Sequence, residues 1–230
     1  MFAGYIAIAG GVGFITILGG VLSLKIKTDQ SVRYWIALAS GLLISTAFFE
    51  MLPEIKGNFI FVALGFFLIY VLDKMILIHA CGEYECKVHH ITWPTLLSTG
   101  VDNFIDGMAI ASGYLISPMT AFIIAGAVAI HESIQSFTAV IIMKNDRYPR
   151  WKLFSTMMLF GITIPIGALL FGTYLSQYIN TLLAFSAGVF LYVGASDMLP
   201  EAHVKFNIGV VGCVILGALL VPLLHFFLGA

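Results

Sequence analysis

Six side chains able to hold a cation recur at helical spacing in two neighbouring apolar stretches. The first group is Asp102, Asn103 and Asp106, followed by Gly107; the second is His131, Glu132 and Gln135. Asp102 and Asp106 are four residues apart, and Asn103 and Asp106 three apart, so both pairs share a helix face. The same holds for His131 with Gln135 and for Glu132 with Gln135. Two facing helices of this kind bring six donors together, as helical bundles do when they build carboxylate and imidazole metal sites in their cores. Asp106 is central to its triplet and can bridge two ions. A carboxylate in hydrocarbon costs roughly 2.5–3.5 kcal/mol near a helix centre on insertion scales. No Lys or Arg stands between Lys87 and Lys144 to neutralise these three. The missing positive charge has to come from protons or bound cations.

The elements that position these groups follow from composition. Of 230 residues, 60% are hydrophobic and only 10% charged, and the mean hydropathy is +1.01. Soluble domains are about one quarter charged. The fold class expected is an all-α polytopic membrane protein. A net charge of −1 with no basic stripe excludes nucleic acid as a partner. The lipid bilayer is the expected surroundings. Three cysteines give no disulfide framework.

Eight stretches reach the ~20 residues that cross a bilayer. They run over residues 2–24, 33–52, 58–78, 94–116, 119–143, 151–175, 181–200 and 206–228, with a polar segment at 79–93. The first is read as a membrane span, because no positive n-region precedes it. The short joins, such as Ser117-Pro118, force antiparallel neighbours into a single transport domain over 1–230. Loops expected on one side carry Lys25, Lys27, Arg33, Lys74, Lys87, Lys144, Arg147, Arg150, Lys152 and Lys205, and the other side carries only Lys56. The positive-inside rule then puts both termini outside and the 79–93 segment in the cytosol.

The sequence also repeats. Glu50-Met51-Leu52-Pro53-Glu54 ends the second stretch and Asp197-Met198-Leu199-Pro200-Glu201 ends the seventh, 147 residues on. Gly41 and Gly188 precede them at the same distance. With opposite directions through the membrane, stretches one to three and six to eight form an inverted repeat around four and five. Such repeats mark transporters whose substrate sites lie at the repeat interface. Gly107, Gly113 and Gly126 are expected to allow close helix packing. Ser98, Thr99, Ser112, Ser133 and Ser136 are expected to bond to local carbonyls.

These motifs resemble the ZIP (zinc- and iron-regulated transporter-like) family of divalent metal transporters. The family's fourth span carries His-Asn-x-x-Asp/Glu-Gly, matched at Asn103, Asp106 and Gly107. Its fifth carries His-Glu-x-x-His, matched at His131 and Glu132. Asp102 and Gln135 stand where the family often has His. The resemblance implies eight spans with outside termini and a binuclear metal site. In it Asp102, Asp106, His131 and Gln135 surround one ion, and Asn103, Asp106 and Glu132 the other. It implies import of a divalent ion into the cytoplasm, Zn²⁺ first, with Fe²⁺, Mn²⁺ and Cd²⁺ as further candidates. The two departures lower the imidazole content and so weaken a preference for zinc.

The reading expected is therefore a metal importer working by alternating access, not an enzyme. Glu50 and Glu54 would lie on the way in, Asp197 and Glu201 on the way out. The alternative is an intramembrane metallohydrolase with Glu132 as base, against which Gln135 counts, because it removes the second imidazole of a His-Glu-x-x-His zinc chelate. A proton or small-cation channel and a metal sensor are further rivals. The location expected is a multi-pass cell-membrane protein of a prokaryotic cytoplasmic membrane. A homodimer is open to it as an assembly. The segment from His79 to His90 also contains Cys81, Cys86 and His89 and could capture released metal, but its spacing fits no closed zinc motif.

Overall fold

Proline, glycine and serine decide where the helices of this chain start, widen and touch. The computed structural model describes residues 2–25, 32–55, 57, 59–81, 93–204 and 207–228. Helix α1 is Phe2–Lys25, α2 Val32–Thr46, α3 Phe59–Cys81, α4 Trp93–Ile116, α5 Pro118–Asn145 and α6 Arg150–Tyr174. Then follow α7 Ile179–Tyr192, the single turn α8 Leu199–Ala202, and α9 Ile208–Leu228. The described residues form helices and no strands. Most of the 79–93 segment, with the metal-capture role expected for it, lies outside the described residues.

Five helical stretches among the described residues are long and apolar enough to cross a membrane: Ala3–Lys25, Val32–Glu54, Pro118–Asn145, Arg150–Tyr174 and Ser176–Ala202. Their outer faces are apolar. Phe14, Leu18 and Leu22 form one exposed row on α1, and Phe122, Phe154 and Phe67 project from other helices. The interior instead holds the small polar residues Ser40, Ser45, Thr46, Ser136 and Ser186 as well as the acidic clusters. Apolar rows outside and small polar residues at helix contacts are the pattern of a bundle solvated by hydrocarbon.

Two stretches expected as plain helices are interrupted. After α2 the backbone widens into a π-helical turn at Ala47–Met51, then tightens at Leu52–Glu54. After α7 the same widening occurs at Val193–Met198. Each precedes a proline, Pro53 or Pro200, which lacks the N–H that would continue the ladder. The freed carbonyls need other donors. In the second widened turn the Gly194 carbonyl accepts both the Leu199 N–H and, at 2.9 Å, Ser40 Oγ, which ties α2 to it. On α9, Pro222 leaves the Ala218 carbonyl without its helical donor, and Ser45 Oγ donates to it at 2.6 Å. One residue type thus both loosens a helix and creates the bond that ties it to its neighbour.

Glycines set the closest approaches. A Cβ on Gly41 would run into the Val214 carbonyl of α9, and one on Gly188 into the Val62 carbonyl of α3. Gly13 and Gly161 meet each other's carbonyls where α1 crosses α6. Gly19 abuts the Ser133 backbone on α5, and Gly167 abuts Phe104 on α4. Gly107 and Gly113 serve close packing as the sequence suggests, against Ile164 and Ile124. Gly126 does not: it is exposed, and among the described residues nothing lies within 4 Å of where a Cβ would stand. It points away from the bundle, so its small size is not used for a contact.

Backbone cannot yield as a side-chain tip can. Gly41→Ala and Gly188→Ala should each destabilise the detergent-solubilised protein by about 1–3 kcal/mol, the usual penalty for overpacking. Gly126→Ala should leave the unfolding temperature unchanged. Equal effects at all three positions in a thermal melt would contradict these contacts.

Candidate metal centre

The site is built by α4 and α5, joined at Ser117. Ser117 takes an extended backbone and caps α5, its Oγ accepting from the N–H groups of Met119 and Thr120 at 3.1 and 3.3 Å. Pro118 opens the helix, where its missing N–H costs nothing. This tight turn sends α5 back along α4, and the two clusters come to one depth. Gly107 lets α4 lie against α6, and the Ser133 backbone lies against Gly19 of α1. The two donor faces are held from behind by backbone contact.

Five of the six expected donors are buried: Asn103 and Glu132 fully, Asp106 and His131 to 1% exposure, Asp102 to 8%. Gln135 is half-buried. His131 Nε2 lies 3.2 Å from Glu132 Oε1 and 3.4 Å from Asp106 Oδ2. Donor atoms of Asp102, His131 and Glu132 lie within 4.8 Å of one another. His131 Nδ1 is 3.3 Å from the Ala127 carbonyl. If it donates there, Nε2 carries the lone pair and turns it on two carboxylates. Such an arrangement repels itself until a proton or a metal ion enters. Ligand atoms bound to one tetrahedral ion at about 2.0–2.1 Å sit roughly 3.4 Å apart, close to the 3.4 and 3.2 Å from His131 Nε2 to Asp106 and Glu132.

Several oxygens have nothing else to do. Asp102 Oδ1, Asn103 Oδ1, Asp106 Oδ2 and both Glu132 oxygens are buried without a hydrogen bond among the described residues. Asn103 is fixed by its amide, whose Nδ2 donates to the Phe160 carbonyl at 2.9 Å, and it lies beside Glu132. Buried oxygens left unsatisfied are costly, and their clustering asks for a shared cation. The donors fit a divalent metal in number, charge and spacing.

The structure brings the two ligand groups that the resemblance implies close together. His131 and Glu132, assigned to different ions, are 3.2 Å apart. Gln135 stands with Asp102 on the wall of a cavity of about 60 Å³ that also touches Ile69, Asp73, Thr99, Tyr192, Val193 and Asp197. That volume has room for several waters. Asp197 is thus at the cavity, as its motif suggests. Glu50, its counterpart, is buried at 5%, and Glu54 is exposed. Ser133 bonds the Ala129 carbonyl as expected, whereas buried Ser136 Oγ has no hydrogen bond among the described residues and packs at Gly20.

Two residues of this cavity escape a motif search. Asp73 accepts from Tyr192 Oη at 2.7 Å and from Lys74 Nζ at 3.0 Å. Tyr192 sits at the start of the widened turn of α7 and crosses to α3. An acidic residue near the end of an apolar stretch was the available signal for Asp73. No local signal marks Tyr192, which is 119 residues from its partner.

Comparison with known proteins agrees with this chemistry. A family model described as ZIP Zinc transporter matches residues 79–225. A mouse protein named Zinc transporter ZIP10 is 32% identical over 126 residues, covering 51% of this chain and 14% of that protein. An uncharacterized zinc transporter of Schizosaccharomyces pombe is 26% identical over 151 residues, covering 60% of this chain and 33% of that protein. The bovine protein named Metal cation symporter ZIP14 is 27% identical over 125 residues, covering 53% and 25%. The chain therefore spans a third or less of the length of these relatives. With the model match extending over more than half of its residues, including both donor clusters, the chain belongs to the ZIP zinc transporter family.

Proposed function

We propose that this protein carries divalent transition-metal ions across a membrane, through the α4–α5 cluster, by alternating access. The observation that carries the reading is the buried donor set: three carboxylates around one imidazole, with unsatisfied oxygens and no buried cationic partner among the described residues. A fixed, dry metal site would serve structure; this one adjoins a cavity large enough for water. The names of the relatives, zinc transporter and metal cation symporter, support the same cargo class.

The architecture we infer is eight spans, formed by α1, α2 with its widened end, α3, α4, α5, α6, α7 with α8, and α9. The halves are an inverted repeat. Matched glycine contacts support it: Gly41 on α9 pairs with Gly188 on α3, and Gly13 pairs with Gly161. Matched widened turns before Pro53 and Pro200 support it too. Extended to α4 and α5, the contacts of Gly167 with Phe104 and of Gly19 with Ser133 pair Asp102 with His131, Asn103 with Glu132, and Asp106 with Gln135. The donors would then lie about the axis of the repeat, where substrates bind in inverted-repeat transporters.

With both termini outside, the cavity is on the cytosolic side and the conformation is inward-facing. Asp197 is open while Glu50 is closed off, which supports that assignment. The ion binds from outside, sheds water between α4 and α5, and leaves past Asp102, Gln135 and Asp197. Asp102, Asp106, His131 and Gln135 on one side, and Asn103, Asp106 and Glu132 on the other, are the ligands we assign. The motion is a shift of the group α1, α4, α5 and α6 against α2, α3, α7 and α9, which touch each other chiefly through α4 with α7 and α2 with α5. The membrane is a cell membrane and the 79–93 segment cytosolic, with a homodimer open to it as an assembly.

Uptake by the purified protein in liposomes tests the proposal. Saturable accumulation of Zn²⁺ or another divalent transition metal is expected, absent from empty liposomes. No accumulation above background for any of Zn²⁺, Fe²⁺, Mn²⁺ or Cd²⁺ would refute it. Chelator-sensitive hydrolysis of a peptide or lipid without uptake would instead favour the metallohydrolase.

A further inference from the structure

The chain carries its densest positive charge at one end of the bundle, where α5 turns into α6. Lys144, Arg147, Arg150 and Lys152 follow in close order, against one carboxylate, Asp146, in the whole stretch 133–196. All four cations are exposed. Lys144 Nζ donates to the Leu24 carbonyl at 3.1 Å, so the end of α1, with exposed Lys25, joins the same surface. Among the described residues none of Arg147, Arg150 and Lys152 forms an ion pair. The first turn of α6 holds no acidic residue. Lys152 Nζ instead lies over the rings of Tyr148 and Trp151, 5.4 and 5.7 Å from their centroids.

This charge stands directly on an apolar row. Arg150 and Phe154 are four residues apart, and Trp151 and Phe154 three apart, so cation and rings share one face of α6. Trp151 is 66% exposed and Phe154 57%. The row continues along the helix through exposed Ile162 and Ile166. From Arg150 to Ile162 the helix rises about 18 Å at 1.5 Å per residue, close to half of the roughly 30 Å hydrocarbon layer of a bilayer. A soluble anion would use the charge and leave the row bare. A neutral apolar ligand would cover the row and leave the charge unanswered. A zwitterionic lipid brings its own ammonium to the cations. A lipid with a net negative head answers both parts. Trp at the headgroup level anchors membrane spans, and Lys and Arg near an anionic leaflet attract it with a strength that salt screens.

We propose that the end of α1, the α5–α6 turn and the start of α6 form a docking surface for the headgroup of an anionic phospholipid, whose acyl chain runs along the Phe154–Ile166 face of α6. The proposal rests on the membrane-spanning fold and goes beyond the transport reading. A lipid held here anchors the half of the bundle that carries the metal ligands.

The full chain in vesicles tests it, with Trp35→Phe and Trp93→Phe so that Trp151 is the one tryptophan left of three. Quenching of its fluorescence is compared for brominated phosphatidylglycerol and brominated phosphatidylcholine at equal mole fraction. Phosphatidylglycerol should quench at a several-fold lower mole fraction. Arg150→Gln combined with Lys152→Gln should lower that preference by about fivefold or more. Lys152→Gln alone should move it in the same direction, and serves if the double variant does not insert. Arg150→Lys, which keeps the charge, should retain the preference. Equal quenching by the two lipids, or a preference unchanged in the double variant, would overturn the proposal. So would a preference abolished by inorganic phosphate but not by chloride of equal ionic strength, which would assign the surface to soluble phosphate. The readout needs no metal, so a failure of uptake and a failure of lipid preference are told apart.

Discussion

Asp106→Ala is expected to reduce saturable metal uptake to the background of empty liposomes, and His131→Ala to do the same. Asp106 is 1% exposed, reaches His131 at 3.4 Å, and keeps an oxygen unsatisfied. Losing even an outer partner of a metal ligand costs about 10–100-fold in affinity or activity, so loss of a ligand between two ions should exceed that. The folded protein should survive the change. Removing one of three carboxylates around a single imidazole relieves repulsion, so the metal-free Asp106→Ala protein should melt no lower than wild type. Metal should raise the melting temperature of wild type, because it binds the folded state, and should fail to raise that of the variant. Full uptake by both variants would show that the ion travels elsewhere.

The second large effect concerns the way out. Val193 lines the cavity of about 60 Å³ together with Asp102, Gln135 and Asp197. Val193→Phe should fill much of it. Overpacking of this kind costs about 1–3 kcal/mol, which an otherwise intact bundle can absorb. Turnover should fall to near background while equilibrium binding of metal, read by the shift in melting temperature, stays close to wild type. That combination separates a blocked exit from a broken site. Uptake at the wild-type rate would mean that the cavity is not the route.

The candidate donors of α4 and α5 were visible in the sequence because they fall on one helix face each, at three- and four-residue spacing, in apolar stretches. The matched Pro-Glu endings were legible for a similar reason: two copies of a rare local pattern at a fixed offset. Their consequence for the backbone was not. That a proline would widen the preceding turn, and that Ser40 and Ser45 would supply bonds to the carbonyls of other helices, depends on neighbours far away in the chain. The cavity wall was half legible. Asp197 came from its motif, while Asp73 and Tyr192 joined it through the contact of α3 with α7, which no spacing encodes. Gly126 marks the same limit from the other side. A glycine in an apolar helix can face a neighbour or the surroundings, and only packing decides.

The central claim is that a divalent metal binds between α4 and α5 in a shell of oxygen with one nitrogen. X-ray absorption at the metal edge of the loaded protein, in wild type and His131→Ala, tests it most directly. The account predicts a first shell of oxygen and nitrogen with one imidazole scattering signature, no sulfur, and loss of that signature in the variant. A sulfur-containing shell, or an imidazole signature unchanged without His131, would contradict it.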